Sequence, residues 1–302
     1  MSERRPSAAP APSGWAQQAG PVALVLAAVL LLWYGGAVGL NAQGVIERVL
    51  ANRTEPWGWQ DLVAETWSME RPVLPAPHQV VMDLYSSIVD WPLDSPRNLL
   101  YHAAVTTQST LVGFVLGTLL GMVLAAAIVH SRTLDRALLP WIVASQTVPV
   151  LAIAPIVLVI LGSLGFSGLA PKAAIAMYLC FFPVTVAMVQ GLRAPQKIET
   201  ELLHTYAASG LQAFWLLRLP SALPFLFPSL RVAIAAGLVG AMVAELPTGA
   251  QAGLGARLLT GSYYGNTVGI WSALVLSALL GLGLTLAVGA LERVVMGRWR
   301  QR

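Results

Sequence analysis

The polar residues of this chain are few, and their types limit the chemistry they can do. Glu201, His204, Arg218 and Arg231 stand among aromatic and small residues in the stretch Glu199–Arg231, which is also punctuated by Pro220, Pro224 and Pro228. Elsewhere, long apolar runs are interrupted by Thr106, Thr107, Gln108 and Ser109, by Ser145, Gln146 and Thr147, by Gln190 and by Glu245. Isolated hydroxyls, amides and one acid can hydrogen-bond a small polar solute or a neighbouring helix. They do not form a catalytic set. The chain has no Gly-rich loop followed by Lys and Ser or Thr to cradle nucleotide phosphates, no Gly-x-Ser-x-Gly elbow, no Cys/His cluster with metal-ligand spacing, and no pair of acids inside an apolar run.

The elements that must position these groups are set by composition. Apolar residues are 56% of the 302 and charged residues 11%, against roughly 25% charged in an average soluble domain, and mean hydropathy is +0.69. The apolar residues fall in uncharged runs long enough for the roughly 20 residues of a spanning helix, so an all-α polytopic membrane protein with about six spans is expected. A net charge of +4 could indicate nucleic acid, but the arginines cluster at the ends of apolar runs, as membrane orientation requires. Cys180, the single cysteine, lies in an apolar run and reads as a small buried hydrophobe.

Residues 1–20 read as a disordered tail. Residues 21–40 form either a signal-peptide core or a retained first helix, and their length favours the helix. Residues 41–97, rich in Trp, Pro and acids, read as an extramembrane segment whose tryptophans rest at the interface. From Ala103 to Ser131 the run carries Gly113, Gly117 and Gly121, four apart, a flat face that lets another helix approach closely. The run Leu138–Leu192 is too long for one span, and the turn-forming stretch Gly162–Lys172 divides it into two helices. Two more spans, about Val232–Pro247 and Val268–Leu291, follow the polar stretch, with a Gly-rich loop between them. With a cytoplasmic N-terminus, Arg132 and Arg136, then Arg193, Lys197 and Arg218, then Arg293, Arg298, Arg300 and Arg302 all fall on the inner side. The polar stretch then faces the cytoplasm.

Within that stretch, Glu201-Leu202-Leu203, Ala207 and Leu217-Arg218-Leu219-Pro220 resemble the cytoplasmic loop motif of permease subunits of bacterial ATP-binding-cassette importers, where a Glu is followed by two Ala, a Gly and a Leu-Pro. Ala207 stands where that family usually has Gly, and Leu202 and Leu203 replace its alanines. Support comes from His102–Gly121, Gln146–Gly162, Phe181–Gly191, and Ala244-Glu245 followed by Gly253-Leu254-Gly255. Together these resemble the binding-protein-dependent type I branch that imports nitrate, sulfonates, taurine, thiamine precursors, riboflavin and related compounds, over roughly Asn98 to the C-terminus.

The resemblance implies a type I importer permease fold: a transmembrane domain over 98–295 with five helices and a coupling loop at 193–228, and a basic cytoplasmic tail at 296–302. It places the chain in a bacterial inner membrane with a cytoplasmic ATPase dimer, a second permease, identical or paralogous, and an extracytoplasmic substrate-binding protein. ATP and Mg are used by the ATPase, and the permease itself holds no cofactor or metal. Glu201, Leu202, Leu203, His204, Ala207, Ala208, Gly210, Leu217, Leu219 and Pro220 would form the ATPase-coupling element, with Pro220 ending it and Pro224 and Pro228 bending the chain into the next span. An interfacial amphipathic helix without a partner is the competing reading of this segment.

Thr107, Gln146, Thr147, Gln190 and Glu245 are the candidates for a translocation path, because polar side chains at membrane depth face a bundle interior or a water-filled route. Bonding between helices is the competing reading for Gln146, and an interfacial position beside Pro247 for Glu245. His102 and His130, near helix ends, read as interfacial residues rather than proton relays. The stretch Glu245–Gly265 leans towards permeases for nitrogen heterocycles such as pyrimidines, thiamine precursors or riboflavin, with nitrate, taurine or alkanesulfonates as alternatives. A membrane-embedded lipid-modifying enzyme is the alternative of another class.

Overall fold

A computed structural model describes residues 14–53, 56–247 and 251–299, and among these every regular element is helical. Residues 1–13 of the expected N-terminal tail, and Arg300 and Arg302 of the expected basic tail, lie outside the described residues. The chain divides into two compact units, residues 1–83 and 84–302.

In the first unit α1 (Gly14–Arg48) is followed by a 3₁₀ turn (Leu50–Asn52), α2 (Trp59–Ser68) and the start of α3 (Pro77–Val89). The apolar run expected at 21–40 is the middle of α1. Its buried Asn41 donates to the Leu74 carbonyl at 2.8 Å and accepts from the Val73 amide at 2.7 Å, tying the extended segment before α3 to the helix. Val45, Leu50 and Leu62 form a small apolar core beside it.

The second unit is built on α4 (Leu99–His130), α7 (Leu169–Leu192) and α10 (Leu219–Ala244). α4 starts where Asn98 caps it by accepting from the Leu100 amide at 2.8 Å, while its amide nitrogen donates to the carbonyls of Ile88 and Trp91. The glycine stripe meets its expectation: a Cβ at Gly113, Gly117 or Gly121 would run into Ala176, Cys180 or Val184 and the adjoining α7 backbone. Backbone-to-backbone approach of this kind substitutes for the hydrophobic driving force that is missing between helices in lipid. Cys180 is buried there, its thiol donating to the Ala233 carbonyl of α10.

Three expectations need correction. The run Leu138–Leu192 contains two breaks, giving α5 (Arg132–Ser145), α6 (Val150–Ser163) and α7, with α5 and α6 bent by 103°. The cause is Pro149, which cannot donate an amide to the Ser145 carbonyl; the Tyr178 hydroxyl of α7 donates to that carbonyl instead. Pro155, by contrast, lies inside α6. Second, Pro220 does not end the polar element. Pro220, Pro224 and Pro228 all lie in α10, and the irregularity is a wide π turn just before it, Phe214–Arg218, where the Leu219 amide reaches back to the Phe214 carbonyl. Prolines four apart place each missing amide opposite the carbonyl of the proline before it, so the defects share one stripe and the rest of the ladder survives. The expected span at Val232–Pro247 is therefore Leu219–Ala244. Third, the loop expected after it contains a helix, α11 (Leu254–Tyr264), before α12 (Thr267–Trp299). Among the described residues, five helices are long and apolar enough to cross a membrane, six if the bent α5–α6 pair is one span.

Gly117→Val places a branched side chain where the Cys180 Cβ and the Met177 carbonyl already sit. The overpacking should cost about 1–3 kcal/mol, seen as a lowered unfolding temperature of the detergent-solubilised protein, whereas Gly162→Val, at a glycine with open space around it, should change little.

Candidate functional site

The polar stretch folds into two short helices joined by a tight turn, α8 (Lys197–Thr205) and α9 (Gly210–Ala213). α8 begins where Glu199 reaches back to accept from the Gln196 amide at 2.7 Å, a carboxylate favourably placed at a helix N-terminus. Its C-terminal turn is a Schellman motif: the Ala207 amide donates to the His204 carbonyl at 2.9 Å and the Ala208 amide to the Leu203 carbonyl at 3.1 Å. Such a turn needs a left-handed residue, and Ala207 adopts φ +53°, the one non-glycine residue among those described with positive φ. This explains the glycine of the family motif on backbone grounds: Ala207 carries the strain of the conformation that glycine adopts without cost. Two residues on, Ser209 opens α9 with a reciprocal cap, donating its amide to Gln212 Oε1 at 2.8 Å and accepting from the Gln212 amide at 3.3 Å.

Two reinforced turns hold the segment, and it presents an apolar surface. Ile198, Leu202 and Tyr206, at a spacing of four, are 69%, 57% and 77% exposed, and Leu211 continues the patch from α9. Of the other expected coupling residues, Glu201 is exposed and pairs only with Lys197 at 3.4 Å, His204, Ala207 and Gly210 are exposed, Leu203, Ala208 and Leu217 are half-buried, and Leu219 and Pro220 lie at the start of α10. Arg193, at the end of α7, binds Asp135 of α5 at 2.9 Å and so fixes the entry to the segment.

The candidate path residues are not brought together. Thr107 is half-buried and returns its hydroxyl to the Ala103 carbonyl at 2.7 Å. Gln146 and Thr147 are exposed at the α5–α6 bend, and Gln190 is exposed near the end of α7. Glu245, at the C-terminal end of α10, is fully enclosed by protein, 0% exposed. It caps the C-terminus of α10, and both its carboxylate oxygens are occupied. Thr106 of α4 donates to them at 3.0 and 2.9 Å, the Gly255 amide donates to Oε2 at 2.9 Å, and Lys172 lies 3.5 Å from Oε1.

Sequence reasoning missed the rest of this cluster. Lys172, buried in the first turn of α7, also donates to the Ala252 carbonyl at 2.6 Å. The Leu254 amide donates to the Thr106 hydroxyl at 2.8 Å. His102, near the start of α4, is buried within the protein: its Nδ1 accepts from the Gly253 amide at 3.0 Å, so Nε2 carries the proton and donates to the Pro96 carbonyl at 2.8 Å. The signal was present in the sequence: Lys172 is the one charge in its long apolar run and Glu245 the one acid ending another, and opposite charges in apolar surroundings seek each other.

With this geometry in hand, residues 117–301 match the family described as binding-protein-dependent transport system inner membrane components. The chain belongs to this permease family. It is 32% identical to the formylaminopyrimidine transport permease protein ThiX of Halalkalibacterium halodurans, over 76% of this chain and 87% of that protein. It is 33% identical to the riboflavin transport system permease protein RibX of Chloroflexus aurantiacus, over 69% and 76%. With the taurine transport system permease protein TauC of Escherichia coli it shares 25% identity over 73% and 78%. The chain is thus a multi-span permease subunit of an ATP-binding-cassette importer with the type I fold, and a transporter component rather than an enzyme.

Two outcomes follow from the geometry. Ala207→Gly should relieve roughly 1 kcal/mol of left-handed strain, measured as slower hydrogen exchange at the amides of residues 207 and 208. Lys172→Met should strand the Glu245 carboxylate and cost about 3–5 kcal/mol, whereas Lys172→Met with Glu245→Gln should recover much of that stability in thermal unfolding.

Proposed function

We propose that this importer permease carries a small polar nitrogen heterocycle of the pyrimidine, thiamine-precursor or riboflavin kind, delivered by an extracytoplasmic binding protein. It would be driven by a cytoplasmic ATPase dimer, which uses the ATP and Mg, and would pair with a second permease. The observation that carries the mechanism is the exposed stripe Ile198, Leu202 and Tyr206 on a short helix closed at its C-terminus by a Schellman turn. An apolar patch on a stiff, capped helix suits insertion into a groove of a partner. It sits in register with the Glu201 to Pro220 motif, and this favours docking on the ATPase over an unpartnered interfacial helix.

Coupling requires that ATP binding favour one state of the permease over another by a few kcal/mol. In this reading α8 delivers that difference, first exposing the path outward and then inward. Thr107, Gln146, Thr147 and Gln190 are the candidate path groups; Gln146 and Thr147 stand exposed at the 103° bend between α5 and α6. The N-terminus and the 193–228 segment are assigned to the cytoplasmic side, on the arginine distribution. The lean in substrate rests on the formylaminopyrimidine and riboflavin roles of ThiX and RibX, and the sulfonate and taurine permeases keep alkanesulfonates and taurine as the second reading.

Copurification with an ATPase and a soluble binding protein, followed by a ligand screen on that binding protein, tests the assignment: retention of a pyrimidine or flavin supports it, and retention of taurine or an alkanesulfonate transfers it to the second reading. Glu201→Lys should leave the protein in the membrane and abolish most substrate-stimulated ATPase activity of the reconstituted complex. Normal coupling in that variant would rule out the lever.

A further inference from the structure

The segment between α10 and α12 could be a flap that opens on its own, or part of the body it touches. Three successive backbone amides decide between these: Gly253 donates to His102, Leu254 to Thr106 and Gly255 to Glu245, so each is held by a different side chain from α4 or the end of α10. Lys172 of α7 adds a fourth tie through the Ala252 carbonyl. The fit leaves no slack. Gly253 sits at φ +131°, and a Cβ there would fall inside the Glu245 carboxylate, while a Cβ at Gly255 would strike the Met242 carbonyl. Leu254 is completely buried against Leu99, Ala103 and Ala273. The amides of Leu254 and Gly255 are the first of α11, which have no partner within a helix, so Thr106 and Glu245 cap α11 from outside, the carboxylate at the end that favours negative charge.

We propose that Glu245 is a positioning residue that welds α11 and residues 252–255 to α4, α7 and α10, so that these elements travel as one body through the transport cycle and the solute does not meet this carboxylate. Independent opening would leave the amides of Gly253, Leu254 and Gly255 and the Ala252 carbonyl without partners at one time, and would strip Glu245 of one donor and Lys172 of its shortest acceptor. Both carboxylate oxygens are engaged and the side chain is sealed from solvent, so no acceptor remains for a solute. The proposal rests on the importer reading of the chain.

The test uses a nitroxide pair at Ala104→Cys and Thr260→Cys, both exposed, with Cys180→Ala as background. In the purified chain alone, which needs no partner, the label distance should be single and narrow, and Glu245→Gln should broaden it. In the complete complex the distance should be the same in the resting and ATP-bound states. A shift between those states would make α11 a flap and overturn the proposal, as would a distribution that stays narrow in Glu245→Gln. In transport assays Glu245→Gln should lower the maximal rate and leave the half-saturating solute concentration unchanged; a change in that concentration would mark Glu245 as a solute contact and overturn the weld. Failure to form a complex with an ATPase would count against the importer reading, and the chain-alone measurement still tests the weld.

Discussion

A carboxylate can be sealed away from water only if the protein supplies what water supplied, and the enclosure of Glu245 makes that demand on four segments at once. α4 contributes a hydroxyl, α7 an ammonium, and the start of α11 an amide, all converging where α10 ends. Isolated burial of an ion is prohibitive, and even a buried pair is not a stabiliser when compared with well-packed apolar groups. What such a pair enforces is correspondence: the helix ends must arrive together or the cost is exposed. The close stacking of α4 on α7 along the glycine stripe makes this arrival possible, because it fixes the axial register of Thr106 against Lys172 over many residues.

The α8–α9 segment, proposed above as the coupling element, follows a different logic. It has no buried charge and little buried surface of its own; its shape comes from local hydrogen bonds, the Glu199 cap, the Schellman turn at Ala207 and the Ser209 box. Elements shaped by their own backbone can leave their side chains free for a partner, and Ile198, Leu202 and Tyr206 are so disposed. The substitution of Ala207 for glycine loads strain into the one turn that orients α8 against α9.

The helical class, the glycine face and the family were legible in the sequence because each depends on short-range pattern: hydropathy over about 20 residues, a spacing of four, a motif in register. The proline positions misled because a proline removes one amide but does not say whether its neighbours compensate. Tyr178, distant in sequence, satisfies the carbonyl that Pro149 abandons, and the π turn ahead of Pro220 lets three prolines share one helix. α11 was hidden in a Gly-rich stretch, because its first amides are capped by Thr106 and Glu245, partners 148 and 10 residues away. The polar cluster was only half legible: the lone charges Lys172 and Glu245 hinted at a pair, but only the fold brings His102 and Thr106 to the same place.

The ion pairs away from the Glu245 cluster are held less firmly. Arg193 and Asp135, where α7 ends and α5 begins, have side chains 45% and 30% exposed, and Arg231 with Glu292, linking α10 to α12, is similarly half-exposed. Ion pairs open to solvent contribute about 0–1 kcal/mol because water replaces the lost partner, while the sealed Glu245 cluster has no such replacement. If α8 is the docking element proposed above, a force applied there would act first on the links that cost least to break, those at the end of α7 that adjoins it, and reach the Glu245 cluster through helices whose mutual register is already fixed. Compliance near α8 and rigidity at the Glu245 cluster is the arrangement under which, on the proposed docking, a small displacement of a short helix becomes a tilt of the packed helices rather than local fraying.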